Sequence, residues 1–189
     1  ASRSVIATVP ADHILTTRVC YKNRNAGKVG LPTDAKARIV AHGYKASNVV
    51  SADGTPLRRD SPTASRVGVL LLMQVSASLR LRLWCADASS SFMQGENTDA
   101  SIILYLHQPQ GGLPGLRPGQ LLKVRKGVYG LMDAPRGWWL ALKKVLLKLG
   151  FRQLALDRAL FVYRSGQRLI AILAVHVDDI LIGIEDSPQ

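Results

Sequence analysis

Cysteine is almost absent from this chain: Cys20 and Cys85 are the only two in 189 residues. Two thiols make neither a disulfide framework nor a zinc site, and a reduced intracellular setting, cytoplasmic or nuclear, is the default expectation. Long apolar runs are missing too. The longest in the first half, around Val67 to Val75, is too short to cross a bilayer. Residues 1–10 lack the continuous apolar centre of a signal peptide, so no membrane association is expected. The four histidines (His13, His42, His107 and His176) are scattered without metal-ligand spacing. There is no internal repeat and no low-complexity tract. The chain begins at Ala1 rather than Met, as a fragment or processed product would.

Acidic charge is the most telling scarcity. Thirteen Asp and Glu face 25 Lys and Arg, giving a net charge of +12. Between Ala100 and Leu156 the single acid is Asp133, among Arg117, Lys123, Arg125, Lys126, Arg136, Lys143, Lys144, Lys148 and Arg152. Such a balance fits a polyanionic partner, most simply nucleic acid, although a solvated basic face explains part of it. At 47% hydrophobic residues the chain has enough apolar material for a packed core.

Hydrophobic patterning gives a mixed order of elements. Asn23 to Asp34 reads as a hairpin loop, and Ala35 to Ala41 as a half-exposed strand. Asn48 to Asp60 reads as irregular. Ser61-Pro62 marks a helix entry, and Val67 to Leu79, apolar nearly all round, predicts a buried helix. Strands are expected at Leu81–Asp87, Ile102–Leu106 and Leu121–Val124, with a Gly/Pro loop at Gly111–Gly119. Asp133-Ala134-Pro135 opens a helix with Trp138, Leu142, Val145, Leu146 and Leu149 on its apolar side. Strands follow at Leu160–Tyr163 and on both sides of Asp178, with a turn at Ser165-Gly166. Without regular βαβ alternation the class is α+β.

Three carboxylates interrupt or end apolar strands: Asp87, Asp178 and Asp179. An ionised Asp beside a core is expensive unless it is paired or binds a metal. Two divalent ions about 3.5–4 Å apart need carboxylates from different strands. Mg²⁺ takes one or two of them and completes its shell with water and phosphate. Simpler readings stay open: Asp178-Asp179 as a polar hairpin turn, and Asp87 as the cap of a following helix. Neighbours on a strand point to opposite faces, so only one of Asp178 and Asp179 is expected to aim at a given site.

Five collinear blocks resemble copia-type retrotransposon reverse transcriptases. They are Ala35–Lys45 (AKARIVAHGYK), Asp87 with Ser91–Glu96 (SFMQGE), Lys126–Trp138 (KGVYGLMDAPRGW), Leu149–Val162 (LGF…D..LFV) and His176–Asp179 (HVDD). Together they cover the chain from about Ile14 to Ile184. His176 stands where the family has Tyr, Asp60 where it has Phe, and the Val19-Cys20 region lacks its usual Trp.

The resemblance implies a fingers and palm fragment of an RNA-directed DNA polymerase without its thumb. It divides the chain into fingers (1–80 and 95–132) and palm (81–94 and 133–189). It also implies that Asp87, Asp178 and Asp179 form the catalytic triad, holding two Mg²⁺ or Mn²⁺ ions. Lys36, Arg38, Phe92, Tyr129 and Gly130 match dNTP-binding positions, with Phe92 as the steric gate. His176, Arg136, Lys144 and Lys148 match primer and template contacts. The implied partners are an RNA template, a DNA primer, dNTPs, and the thumb, RNase H and integrase of a polyprotein. Bland readings stay beside these: a core Phe92, and an exposed strand face carrying Lys36 and Arg38. Two further functions are left open, a non-catalytic nucleic-acid-binding remnant and a metal-dependent nuclease.

Overall fold

Strands outnumber helices. In chain order they are β1 (Ile14–Leu15), β2 (Thr17–Asn23), β3 (Ala35–Ala41), helix α1 (Arg66–Ser78), β4 (Arg82–Asp87), the single turn α2 (Ser91–Gln94), β5 (Tyr105–Leu106), β6 (Leu122–Lys123), α3 (Ala134–Lys148), β7 (Arg152–Gln153), β8 (Leu160–Ser165), β9 (Arg168–His176) and β10 (Asp179–Ile184). This computed structural model describes residues 9–46, 54, 56, 58–96 and 102–186. Most of the irregular stretch expected at 48–60 lies outside them. The mixed α+β class holds, in two units: residues 1–59 with 96–137, and residues 60–95 with 138–189.

In the first unit β2 and β3 form an antiparallel hairpin running from Thr17↔Ala41 to Asn23↔Ala35. Its loop is tied by Asn23, whose Oδ1 accepts from the amides of Asn25 and Asp34 at 3.0 and 3.1 Å. A second, small sheet has the order β1-β5-β6, with β1 parallel to β5. The strand expected at Ile102–Leu106 shrinks to its last two residues, although Ile102 and Leu104 are buried beside it. Gln108 organises the Gly/Pro loop: its Nε2 donates to the Arg117 and Gln120 carbonyls, and its Oε1 accepts from Leu113 N.

The second unit is built on an antiparallel sheet of order β4-β10-β9-β8-β7. Central β9 explains its own sequence. Leu173 and Val175 pack with Trp138, Trp139, Leu142, Leu146 and Phe161 on the α3 face. Ile172 and Ala174 pack with Leu72, Leu81 and Leu160 on the α1 face. A strand covered on both faces needs apolar residues at successive positions, so alternation disappears. Fully burying Leu72 or Phe161 is worth about 1.5–3 kcal/mol each.

Both long helices depart from the expected burial. Helix α1 starts four residues after Ser61-Pro62, at a true cap: Ser65 Oγ accepts from Gly68 N at 2.9 Å. Nor is it buried all round. Gly68, Leu72 and Ser76 are covered, while Val67, Leu70, Leu71 and Met73 are largely exposed. A helix on one face of one sheet can bury only one stripe, whatever its composition. On α3, Val145 and Leu149 are exposed and Trp139 is buried instead. The helix is turned so that both tryptophans reach the core, with Trp139 5.7 Å from the Phe161 ring centre.

Asp157 joins α1 to the sheet. Its Oδ2 accepts from Ser65 N and Ser65 Oγ at 3.0 and 2.8 Å, and its Oδ1 from Ala159 N at 2.9 Å. Burial raises the pKa of this carboxyl, but these hydrogen bonds outweigh that effect and the net shift is downward.

Candidate active site

The β9–β10 hairpin turns through Val177 and Asp178, with His176 and Asp179 paired across it. On the other side of β10, Asp179 is the direct partner of Asp87 on β4. Directly opposed residues share a face. His176, Asp179 and Asp87 therefore form one row across three strands, on the face that carries Leu181 and α1. Asp178 belongs to the turn, outside the strict alternation of a strand. The Ala88 amide holds its carbonyl at 2.9 Å, which places Asp178 next to the end of β4. Below the row lies a cavity of about 210 Å³, lined by Val69, Cys85, Ala174, His176, Asp179 and Leu181 among others.

The hairpin reading holds in part: Asp178 lies in the turn, and Asp179 is the first residue of β10. Asp87 does not cap the following helix: the N-cap position of α2 is Ser90. Asp87 and Asp179 are exposed and Asp178 half-buried. Directly opposed like charges destabilise a strand pair unless a cation lies near both. The acids are not gathered into a closed cage, since no group of three or more His, Cys, Asp or Glu among the described residues could hold a metal ion. Mg²⁺ does not need such a cage: one or two carboxylates, water and substrate phosphates complete its octahedron. The Asp87–Asp179 pair offers two carboxylates for that mode, a hard-oxygen donor set that suits Mg²⁺ or Mn²⁺.

Phe92, on α2, is half-buried against the core of Trp138, Trp139 and Phe161, the bland alternative left open by the sequence. Lys144 and Lys148 lie one turn apart on the exposed side of α3, and Arg136 is half-buried in its first turn.

The remaining sequence-derived positions lie in the first unit. Lys36 and Arg38 share the partly covered face of β3. The Arg38 guanidinium lies 5.2 Å from the Tyr129 ring centre, a cation–π arrangement. Its Nε is buried and has no hydrogen-bond partner among the described residues. The Tyr129 carbonyl accepts from Ala41 N at 2.7 Å, seating Tyr129-Gly130-Leu131 against the end of β3. Gly130 has φ +91°, and a Cβ there would collide with the Ala41 carbonyl oxygen. A Cβ on Gly43 would collide in turn with the Gly130 carbonyl oxygen. Gly130 thus makes its close approach to its own chain. Gly43 was not singled out by the sequence reading, although it sits inside one of the five blocks.

Asp133, just ahead of α3, has its pKa raised by burial; its own backbone amide and the charge of Arg59 offset this in part.

Comparisons with known proteins identify the family. Residues 5–189 match the family model described as reverse transcriptase (RNA-dependent DNA polymerase). The chain is 35% identical over 147 residues to the Retrovirus-related Pol polyprotein from transposon RE1 of Arabidopsis thaliana, covering 78% of this chain and 10% of that protein. It is 34% identical over 152 residues to the corresponding polyprotein from transposon RE2 of the same plant, with 80% and 10% covered. To the polyprotein from transposon TNT 1-94 of Nicotiana tabacum it is 25% identical over 152 residues, with 80% and 11% covered. The chain spans about a tenth of the length of these relatives. No solved structure matches it. A family match over almost the whole chain, with transposon polyproteins as relatives, makes this a member of the reverse transcriptase (RNA-dependent DNA polymerase) family, of the copia type.

Proposed function

We propose that the chain is the fingers and palm portion of an RNA-directed DNA polymerase that adds dNTPs to a primer 3′-hydroxyl on an RNA template. The observation that carries this reading is the register of β4 against β10, which sets Asp87 opposite Asp179 beside the Asp178 turn. In this reading the second unit is the palm and the first the fingers, except that residues 60–80, which the resemblance assigns to the fingers, group with the second unit.

Asp87 and Asp179, with Asp178 next to them in the turn, would hold the Mg²⁺ or Mn²⁺ ions, two in this reading, with water and substrate phosphates completing their shells. Bound there, the ions would supply charge neutralisation for the primer hydroxyl, the triphosphate and the pyrophosphate. Arg38 and Lys36 grip the triphosphate. The contact with the Tyr129 ring supports that role, because it orients the guanidinium in advance. Tyr129 and Gly130 form a firm floor beside the incoming nucleotide. The uncovered part of Phe92 bars a ribose 2′-hydroxyl, and its buried part fixes the ring. His176, in the carboxylate row, lies against the primer end, while Arg136, Lys144 and Lys148 follow the phosphate backbone.

The relatives are Pol polyproteins, so the working partners are the RNA template, the DNA primer and further polyprotein domains, in a cytoplasmic particle or the nucleus. Extension of a primer on RNA with Mg²⁺ or Mn²⁺ tests the reading. Templated incorporation that is lost in Asp178→Asn is expected. Salt-dependent nucleic-acid binding indifferent to that substitution, with no incorporation, overturns it.

A further inference from the structure

Val177 has φ +59°, in the left-handed region that a β-branched residue almost never enters. It is the first residue of a two-residue hairpin loop, and a positive φ at that position ordinarily calls for Gly. Closure of the loop by the His176–Asp179 pair selects a turn with positive φ at this position, and Val177 adopts it although it is not Gly. Two other groups hold it. The Trp138 indole N–H donates to the Val177 carbonyl at 2.6 Å, and the Ala88 amide donates to the Asp178 carbonyl at 2.9 Å. Trp138 is 7% exposed, and its core packs against Ala88 and Phe92 as well. The core that holds Trp138 thus meets the segment that follows Asp87, while Trp138 itself bonds the loop carrying Asp178.

We propose that Trp138 is a positioning residue for the carboxylate site. Its indole N–H pins the Val177 carbonyl, keeps the loop in its strained form and so fixes where the Asp178 carboxylate stands relative to Asp87. This deepens the polymerase reading and rests on it for the consequence in catalysis; the pinning of the loop stands independently. The strained Val177 and the indole act as a pair. Gly at 177 adopts the same φ without cost and makes the indole bond dispensable.

The test compares Trp138→Phe, which removes the donor and keeps an aromatic ring, with Trp139→Phe, a matched loss of ring size in the same core. Amide exchange at Ala88 and at residues 176–179 is expected to quicken about tenfold in Trp138→Phe, the factor that about one hydrogen bond supplies, and not in Trp139→Phe. Primer extension is expected to lose about as much in kcat with little change in the dNTP KM. Adding Val177→Gly restores both. In the unmutated protein the Trp138 indole proton should exchange far more slowly than that of Trp84, which is 55% exposed.

Equal loosening in the two Phe variants overturns the proposal, as does a Trp138 indole that exchanges as fast as that of Trp84. Selective loosening in a protein that never extends a primer supports the pinning and defeats the polymerase reading instead.

Discussion

Asp87 faces Asp179 directly across the β4–β10 ladder, the last pair of a register that runs from Ile184↔Arg82. Two carboxylates at opposed positions repel, at a cost of about 0.2–1 kcal/mol in a metal-free protein. Asp87→Asn is therefore expected to raise stability slightly without metal while abolishing primer extension. Denaturant melts with EDTA and with Mg²⁺ check this. Mg²⁺ should stabilise the parent chain and leave the variant almost unmoved. A variant less stable than its parent in EDTA refutes the repulsion argument.

Gly43 and Gly130 touch through the Gly130 carbonyl, and neither position has room for a Cβ. Gly130→Ala adds the cost of φ +91° to a collision with the Ala41 carbonyl oxygen, and about 1–3 kcal/mol of destabilisation is expected. Gly43→Ala, without the unfavourable φ, should cost less only if the 129–131 segment can move away. Urea titration gives both values. If Gly130→Ala is neutral, the seating of Tyr129 against β3 is wrong.

The sequence was most legible where pattern and position coincide. The β2–β3 hairpin, the strand ending at Asp87, α3 and the β9–β10 hairpin all stand close to where alternation and turn residues put them. Helix burial was less legible. Val67, Leu70 and Leu71 read as core, but only the sheet decides which stripe of a helix is covered, and sequence does not contain that packing. The candidate site divides in the same way. Carboxylates interrupting apolar strands are visible in one dimension. The Asp87–Asp179 pairing, the Arg38–Tyr129 contact and the Trp138–Val177 bond join residues 39 to 92 positions apart, and no local pattern announces them. Asp157 was read only as part of a block, because its partner Ser65 lies 92 residues away.

Asp157 and Asp133 should shape acid stability in opposite ways. The folded pKa of Asp157 lies below its ordinary 3.8, so its contribution is present above about pH 4 and disappears as pH falls through the folded value. The folded pKa of Asp133 lies above 3.8, so its cost is absent in acid and appears as pH rises towards that value. Asp157→Asn should lose about 1–2 kcal/mol at pH 7 and flatten the acid limb, with salt screening keeping the figure near the lower end. Asp133→Asn should be relatively more stable at pH 7 than at pH 3.5. Stability curves over pH 2.5–7 for the three proteins decide, and parallel curves would remove both assignments.

Lys144 and Lys148 lie on the side of α3 away from its buried Trp138, Leu142 and Leu146, so their charges can change without disturbing the core. If they follow a phosphate backbone, each neutralised phosphate contributes about 0.7–0.9 to the slope of log K against log salt. Lys144→Glu with Lys148→Glu should then lower the magnitude of that slope by about 1.4–1.8 on a primed RNA template. The loss should be similar for any template sequence, because backbone contacts carry no base information. It should also persist in EDTA, which separates it from the carboxylate site. Fluorescence anisotropy between 50 and 300 mM salt measures the slope, and an unchanged value with unchanged affinity would show that the basic face of α3 is solvated surface only.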